Sequence, residues 1–484
     1  MELRAYPKTK RPIKIVQFGE GNFLRGFADY MIDKANEAGI YNGNIAVIKP
    51  TLRGNLDAFR AQNCNYTVLL RGITKGETVT ETRVVTCIEE AIASHIEYDA
   101  FCRLARLNTL EILMTNVTEA GMVYDEAAKF EEEPPAACPA RIAKFLFLRY
   151  TAGLPGLILL PLELIEQNGQ KLKAFLLRHA AQWGLPEAFS RWIETECIFC
   201  NTLVDRILTG YPTEEAESLF QALGYRDAYL DAGEPFALWA IGSDRLAEVR
   251  RALPLDQAGL PVVFAEEITP YRERKVRVLN GAHTGSVLAG YLAGFETVGE
   301  LLADPTLSKY MQALVYEEIV PNVPLPQAEV RTFADDMFDR FRNPFNRHRL
   351  LTISLNSVSK WRARLLPTLK DDLRRTGRIP SKTAFSLAAL LAFYSSDHFS
   401  GDVLEGTACG RTYPITDDRR VLEFFCENSL ILPAEAYVHQ ALQNGTLWGE
   451  DLTAYDSLEP LVLRDLLLIR EHGVHSALQE ADAT

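Results

Sequence analysis

The chain has 484 residues, with 51 Lys and Arg against 64 Asp and Glu, and its formal net charge of -13 removes the basic footprint that a nucleic-acid binder needs. A hydrophobic content of 47% beside 24% charged residues is that of a soluble globular protein, and no apolar run approaches membrane-spanning length. The length exceeds one ordinary core, so two domains are expected, and an anionic ligand must be held by local cations against the overall field.

The start, Met1 to Pro7, has no apolar signal core. Lys14-Ile15-Val16-Gln17-Phe18 reads as a first strand. It runs into Gly19-Glu20-Gly21-Asn22-Phe23-Leu24-Arg25-Gly26, and a helical pattern follows to about Ala38, with Phe27, Tyr30, Met31 and Ala35 on one face and Gly39 as its stop. Ile45 to Ile48 is a short buried strand. The three elements make a βαβ unit fit to open a nucleotide-binding domain. Gly19-x-Gly21, placed after a strand and before a helix, lets a pyrophosphate approach backbone N–H groups and the positive helix end. The third glycine of the usual fingerprint is absent, with Leu24 in its place, and an ordinary tight turn is the alternative. The second strand ends Ile48-Lys49-Pro50 with no acid for the adenosine ribose. Lys49 or Arg53 would even favour a 2′-phosphate, so NAD and NADP both stay open on these residues.

Tyr66 to Ile73 and Thr78 to Ile88 are predicted strands joined by a hairpin at Thr74-Lys75-Gly76-Glu77. Leu110 to Thr115, Gly156 to Leu162 and Pro261 to Ala265 supply further strands, while Glu131 to Pro135 is a loop within this half. The eight cysteines, at 64, 87, 102, 138, 197, 200, 409 and 426, are scattered as reduced cytosolic thiols would be, so a cytoplasmic protein is expected. Cys197-x-x-Cys200 stands alone and reads as two small buried residues on a helix. Asp205-Arg206 reads as a structural ion pair. From about residue 275 onward Leu-, Ala- and Tyr-rich segments of helical period dominate, as at Ala384 to Tyr394 and Leu458 to Arg470. The fold class is therefore α/β, a Rossmann-type dinucleotide-binding domain over 1–270 followed by a mainly α-helical domain over 271–484.

Lys275, Asn280 and His283 have the spacing K-x4-N-x2-H. These groups suit removal of a proton from a secondary alcohol and stabilisation of the resulting oxygen. On an α-helix Asn280 and His283 share a face, and Lys275 lies about 7.5 Å below Asn280, a gap its long side chain largely spans. The alternative is a basic helix start with an Asn cap and a buried His. A lysine base works near neutral pH only with burial or neighbouring positive charge, which Arg272, Arg274 and Arg277 are expected to supply. No His/Cys/Asp/Glu set has metal-ligand spacing, so no metal is expected.

Motifs along nearly the whole chain resemble the polyol-specific long-chain dehydrogenases, the mannitol dehydrogenase family. The resemblance rests on a strand followed by Gly19-x-Gly21-x-Phe23-x-Arg25, on Asn201-x-x-Val204-Asp205-Arg206-Ile207, on Lys275, Asn280 and His283, and on Arg340-Phe341-Arg342-Asn343-Pro344 followed by His348. The wording of Gln17 to Arg25, Thr118-Glu119-Ala120-Gly121, Leu203 to Tyr211 and Tyr271 to Lys275 is similar to a branch acting on sugar acids. The resemblance implies NAD as cofactor, a zinc-independent reaction, Phe18 to Phe23 as the cofactor turn, and Lys275, Asn280 and His283 as catalytic residues. Where the mannitol branch has Cys-Asp-Asn, this chain has Leu162-Glu163-Leu164, so Glu163 is expected to take a related role. A small sugar-acid substrate needs a cation for its carboxylate. Arg342, His348, Arg349, Lys360, Arg362 and Arg364 are the candidates, with His348 and Arg342 favoured by the Arg-Phe-x-Asn-Pro segment. A different sugar-acid or polyol oxidoreductase of the family, or a nucleotide-binding sensor without catalysis, is the competing reading.

Overall fold

The computed structural model describes residues 2–51, 54–118 and 121–483. Arg53, Glu119 and Ala120, named above, lie outside them. The chain forms two compact units, one of the residues up to Gly72 with Thr78–Ile268, the other of Ile73–Glu77 with the chain from Thr269 onward.

In the first unit the strands are β1 (Ile13–Phe18), β2 (Asn44–Lys49), β3 (Tyr66–Thr74), β4 (Glu77–Val85), β5 (Ile88–Ala93), β6 (Ile112–Thr115), β7 (Ile158–Pro161) and β8 (Ile198–Phe199). Six of them make a parallel sheet in the order β5-β2-β1-β6-β7-β8. The near-continuous apolar runs explain this, because a parallel sheet covered on both faces buries every side chain of its inner strands. Ile15, Ile45, Val47, Ile112 and Met114 face one core, and Val16, Phe18, Ala46, Ile48 and Leu113 the other. The order reverses between β1 and β6, and in open α/β sheets the crevice at the carboxyl ends beside such a reversal is where ligands bind.

The predicted hairpin forms, with Lys75 (φ 53°) and Gly76 (φ 79°) both left-handed, as a two-residue hairpin turn requires. The predicted strand over Thr78 to Ile88 is in fact two. β4 ends at Val85, and Ile88, completely buried, starts β5 in the main sheet. β9 (Asn201–Asp205), β10 (Leu208–Gly210), β11 (Asp231–Gly233), β12 (Leu238–Gly242) and β13 (Val262–Ala265) complete two smaller sheets, ordered β10-β11-β3-β4 and β13-β12-β9. Cys197 and Cys200 flank the short β8 and are not on a helix. Burial pushes both thiols up to about 12, so they are inert core residues.

The second unit is mainly helical, as its Leu- and Ala-rich period predicts. Ser381–Phe393 is buried almost all round, because from Ala384 onward it is apolar on every face except at Ser386, and such a helix sits at a core's centre. Leu458–Ala483 packs along it and is interrupted at Gly473, where φ is 76° and ψ 170°. A three-stranded antiparallel sheet of β14 (Phe399–Ser400), β15 (Val403–Ala408) and β16 (Arg411–Ile415) was not visible in the sequence pattern. Among the described residues no helix is long and apolar enough to cross a membrane.

Candidate active site

The glycine turn closes β1 at the point where the sheet order reverses. Gly19 has φ 127°, a backbone that only glycine adopts without strain, and a Cβ there would stand 3.0 Å from Leu24 Cδ1 and 3.3 Å from the Asn116 carbonyl. At Gly21 the situation is the opposite, since a Cβ would meet nothing within 4 Å. The turn thus presents bare backbone to open space at the start of a helix, which suits a pyrophosphate. Buried donors brace it from below. Gln17 Nε2 donates to the Gly19 carbonyl at 3.1 Å, and the Arg25 guanidinium donates to the Glu20 carbonyl (2.5 Å) and to Asn22 Oδ1 (2.6 Å). Phe23 stacks on Phe27 with ring centroids 4.9 Å apart. Phe18, expected in the cofactor set, can meet a cofactor only through its main chain. Its side chain is in the core, edge-on to Phe101 and Phe145, because odd and even strand residues point to opposite faces.

The helix after the turn also departs from expectation. Leu24–Asp29 is a π-turn, and the α-helix proper is Tyr30–Glu37. The cause is a set of outside donors to the main chain. Arg206 Nη1 donates to the Gly26 carbonyl at 2.7 Å and Tyr66 Oη to the Arg25 carbonyl at 3.2 Å. Side chains inserted in this way break the regular ladder. Arg206 also donates to the carbonyls of Pro235 and Phe236, so its guanidinium serves main-chain acceptors in place of the expected pair with Asp205.

Glu163 follows β7 and is almost completely buried. Its Oε1 accepts the Val117 N–H at 3.0 Å, its Oε2 has no hydrogen-bond partner, and burial raises its pKa. It clamps the loop after β6. Leu164, where the mannitol branch has Asn, is 69% exposed.

In the second unit, Lys275–Asn280 is another π-turn, leading directly into the α-helix Gly281–Leu292. This corrects the α-helical geometry expected of the motif. In an α-helix five residues turn through about 500°, which puts positions 275 and 280 on different faces. A π-turn hydrogen-bonds residues five apart, so it stacks Lys275 on Asn280. Asn280 then shares a face with His283 by ordinary α spacing. Asn280 makes no side-chain cap bond and has helical dihedrals, so it is not the cap of the competing reading.

His283 is buried. It stacks on Phe341 with centroids 4.1 Å apart and meets His348 edge-on at 5.7 Å. Its Nε2 is buried without a hydrogen-bond partner. Such an atom costs roughly 1–3 kcal/mol, which a hydrogen bond to a ligand or water would recover. Burial, then the nearby His348, Arg340, Arg364 and Lys360, hold the imidazole well below its usual pKa. It is neutral at working pH and has both a donor and an acceptor nitrogen.

Of the six cation candidates, the structure gathers His348, Lys360 and Arg364 around His283. Arg364 Nη1 donates to Thr284 Oγ1 at 3.0 Å, and Lys360 Nζ to the Ile353 carbonyl at 2.9 Å. Arg342 goes elsewhere. It is exposed, lies over the Phe338 ring, and lines a hollow with Lys75, Tyr316, Asp335 and Asp339. Two steps along a helix turn a side chain about 200° round the axis, so Arg340 points inward where Arg342 points out. Arg340, 4% exposed, is the basic residue that sequence reasoning missed, although it opens the Arg-Phe-x-Asn-Pro segment. Arg349 and Arg362 line other hollows. Arg274 and Arg277, expected to supply positive charge to Lys275, are engaged with carboxylates, Glu329 at 2.5 Å and Asp371 at 2.8 Å. Lys275 itself is half-buried. Among the described residues no group of three or more His, Cys, Asp or Glu is placed to hold a metal ion.

The depressed pKa of His283 fixes a sign for acid sensitivity. Below about pH 6.5 the unfolded chain binds a proton that the folded site refuses, so stability falls with decreasing pH, by up to about 1.4 kcal/mol per unit. Urea midpoints of the wild type and His283→Gln between pH 7.5 and 5 check this. The wild type is expected to lose more stability than the variant over that range, and parallel curves would contradict the assignment.

The chain matches two family models, the mannitol dehydrogenase Rossmann domain over residues 13–254 and the mannitol dehydrogenase C-terminal domain over 267–466. It is 40% identical over 487 residues to an altronate oxidoreductase of Yersinia pestis bv. Antiqua (strain Nepal516), covering 98% of each chain. It is 38% identical over 486 residues to one of Escherichia coli O7:K1 (strain IAI39 / ExPEC), with the same coverage. Among solved structures it is similar to a D-sorbitol dehydrogenase in substrate-free form, with TM-score 0.80, 22% identity and coverage of 96% and 95%. A Pseudomonas fluorescens mannitol 2-dehydrogenase, solved as a ternary complex with NAD and D-mannitol, gives TM-score 0.67, 23% identity and coverage of 100% and 97%. These two likenesses concern the fold. With both domain models matched and relatives of this identity along its length, the chain belongs to the mannitol dehydrogenase family.

Proposed function

We propose that the protein is an NAD-dependent oxidoreductase interconverting D-altronate and D-tagaturonate in hexuronate catabolism. The observation that carries this reading is the set of cations near the buried His283: His348 meets it edge-on at 5.7 Å, Arg364 bonds the adjacent Thr284, and Lys360 lies one helical turn before Arg364. Arg340 and His348 belong to the segment shared with the polyol enzymes, so the cations that favour a sugar acid over a neutral polyol are Lys360 and Arg364. The altronate oxidoreductases at 38–40% identity point the same way.

On this reading residues 1–270 hold the dinucleotide and 271–484 the sugar acid. The Phe18–Phe23 segment, with Gly19, Glu20, Gly21 and Asn22, holds the cofactor, Phe18 through its main chain since its side chain is in the core. When bound, NADH supplies the two electrons that reduce the ketone carbon. Lys275 donates a proton to the ketone oxygen during reduction and accepts it from the alcohol during oxidation. Asn280 and His283 donate hydrogen bonds to that oxygen as its negative charge develops. Lys360 and Arg364 hold the carboxylate and His348 orients it, the charge-assisted contacts being the strong ones. The reaction is metal-free, with the lysine doing the work that a Lewis acid does in other dehydrogenases. The eight free cysteines support a cytoplasmic location, which a fractionation finding the enzyme outside the cytoplasm would overturn.

The test is NADH oxidation against tagaturonate, fructuronate and neutral tagatose, with and without prior dialysis against a chelator. Tagaturonate is expected to exceed tagatose in kcat/KM by on the order of 10², from one or two charge-assisted bonds, with no effect of the chelator. Equal efficiency on the acid and the neutral ketose would sink the carboxylate assignment. A preference for fructuronate would move the enzyme to another branch of the family.

A further inference from the structure

β2 ends at Lys49, followed by Pro50 and Thr51, so the acid that usually takes the adenosine ribose hydroxyls is absent from its place. Read alone, Lys49 argues for a 2′-phosphate. The structure reverses that reading. Lys49 Nζ lies 2.6 Å from Glu20 Oε1 and 2.8 Å from Thr51 Oγ1. Glu20 is the middle residue of the glycine turn, so this ion pair bridges the end of β1 to the end of β2. The adenosine ribose of a dinucleotide lies beside those two strand ends in folds of this order.

Exposure separates the two partners. The Lys49 side chain is 5% exposed and that of Glu20 22%, so the base lies beneath and the acid faces outward. An arriving ligand meets the carboxylate first, and the nearer charge dominates. A carboxylate offers about four acceptor sites, of which Lys49 occupies one. Capacity therefore remains for ribose hydroxyls, while a phosphate dianion at the same place would be repelled.

We infer that Glu20, oriented by Lys49, replaces the missing β2 acid and sets the preference for NAD over NADP. The inference rests on the reading of the glycine turn as the cofactor site, and it gives Lys49 a positioning role toward Glu20.

The test is a fluorescence titration of NADH and NADPH without substrate, on the wild type, Glu20→Gln, Lys49→Met and the double variant. The wild type is expected to bind NADH more tightly. In Glu20→Gln the NADPH/NADH ratio of Kd should fall by roughly tenfold or more, as expected for loss of a charged hydrogen bond and of the repulsion. Lys49, released from its ion pair, is then an uncompensated positive charge beneath the phosphate. The gain for NADPH should vanish in the double variant, which no merely structural role of the pair predicts. Melting curves show whether each variant folds, and Glu20→Ser replaces Glu20→Gln if the latter does not. A ratio unchanged in Glu20→Gln, or a wild type preferring NADPH, overturns the inference. If that wild type still turns over tagaturonate, the cofactor-site reading stands without it. A wild type that binds neither dinucleotide overturns both.

Discussion

Lys275→Ala is expected to lower kcat by roughly 10²–10⁴, the usual worth of a positioned proton-transfer group. NADH affinity should barely change, because the cofactor is assigned to the Gly19–Phe23 turn. The fold should also survive, since Lys275 is only half-buried on a helical turn whose packing comes from Val278 and Leu279. Substrate KM shifts modestly if the ammonium also binds the ketone oxygen before reaction. Lys275→Arg is the informative control. It keeps the charge and the donors but cannot release a proton near neutral pH, so it should remain slow. Measuring kcat, NADH binding and thermal melting on one preparation decides the matter. Near-normal turnover in Lys275→Ala would discard this residue as the acid/base and the mechanism with it.

The second large effect is expected at Asn280. If its amide donates to the developing alkoxide, Asn280→Ala should lower kcat by roughly 10²–10³, the range found when one such donor is removed. The loss should fall equally on kcat and kcat/KM, because the bond strengthens only as charge builds up on the oxygen. Stability should change little. A helix cap would cost about 1 kcal/mol on removal, but Asn280 makes no cap bond. A melting temperature far below wild type with kcat retained would return Asn280 to a structural role.

Both predictions depend on the π-turn at Lys275–Asn280, and that turn could not be read from the sequence. Its residues, Lys-Val-Arg-Val-Leu-Asn, have helical character, and π spacing leaves no compositional mark. The same is true of Leu24–Asp29, where the cause lies about 180 residues away in Arg206. The first unit was more legible. Strands such as Ile-Ala-Val-Ile and Ile-Leu-Met show themselves because a doubly covered parallel sheet demands unbroken apolar runs. The β14–β16 sheet escaped notice because Val403–Ala408 and Arg411–Ile415 are short, and Gly406 and Pro414, both weak strand formers, interrupt them.

The sequence by itself determined the residue types on which the proposed chemistry rests. K-x4-N-x2-H, the Gly19-x-Gly21 turn after a strand, and the absence of metal-ligand spacing are local patterns, and local patterns survive in one dimension. Tertiary structure alone decided which cations lie near His283. Arg340 and Arg342 are two residues apart and indistinguishable by type, yet one is 4% exposed beside His283 and the other lies outside over Phe338. Lys49 is a free cation in the sequence and a buried partner of Glu20 in the fold. The physical reason is the same in each case. Coulomb energy depends on distance and burial, and both are set by residues far apart in the chain.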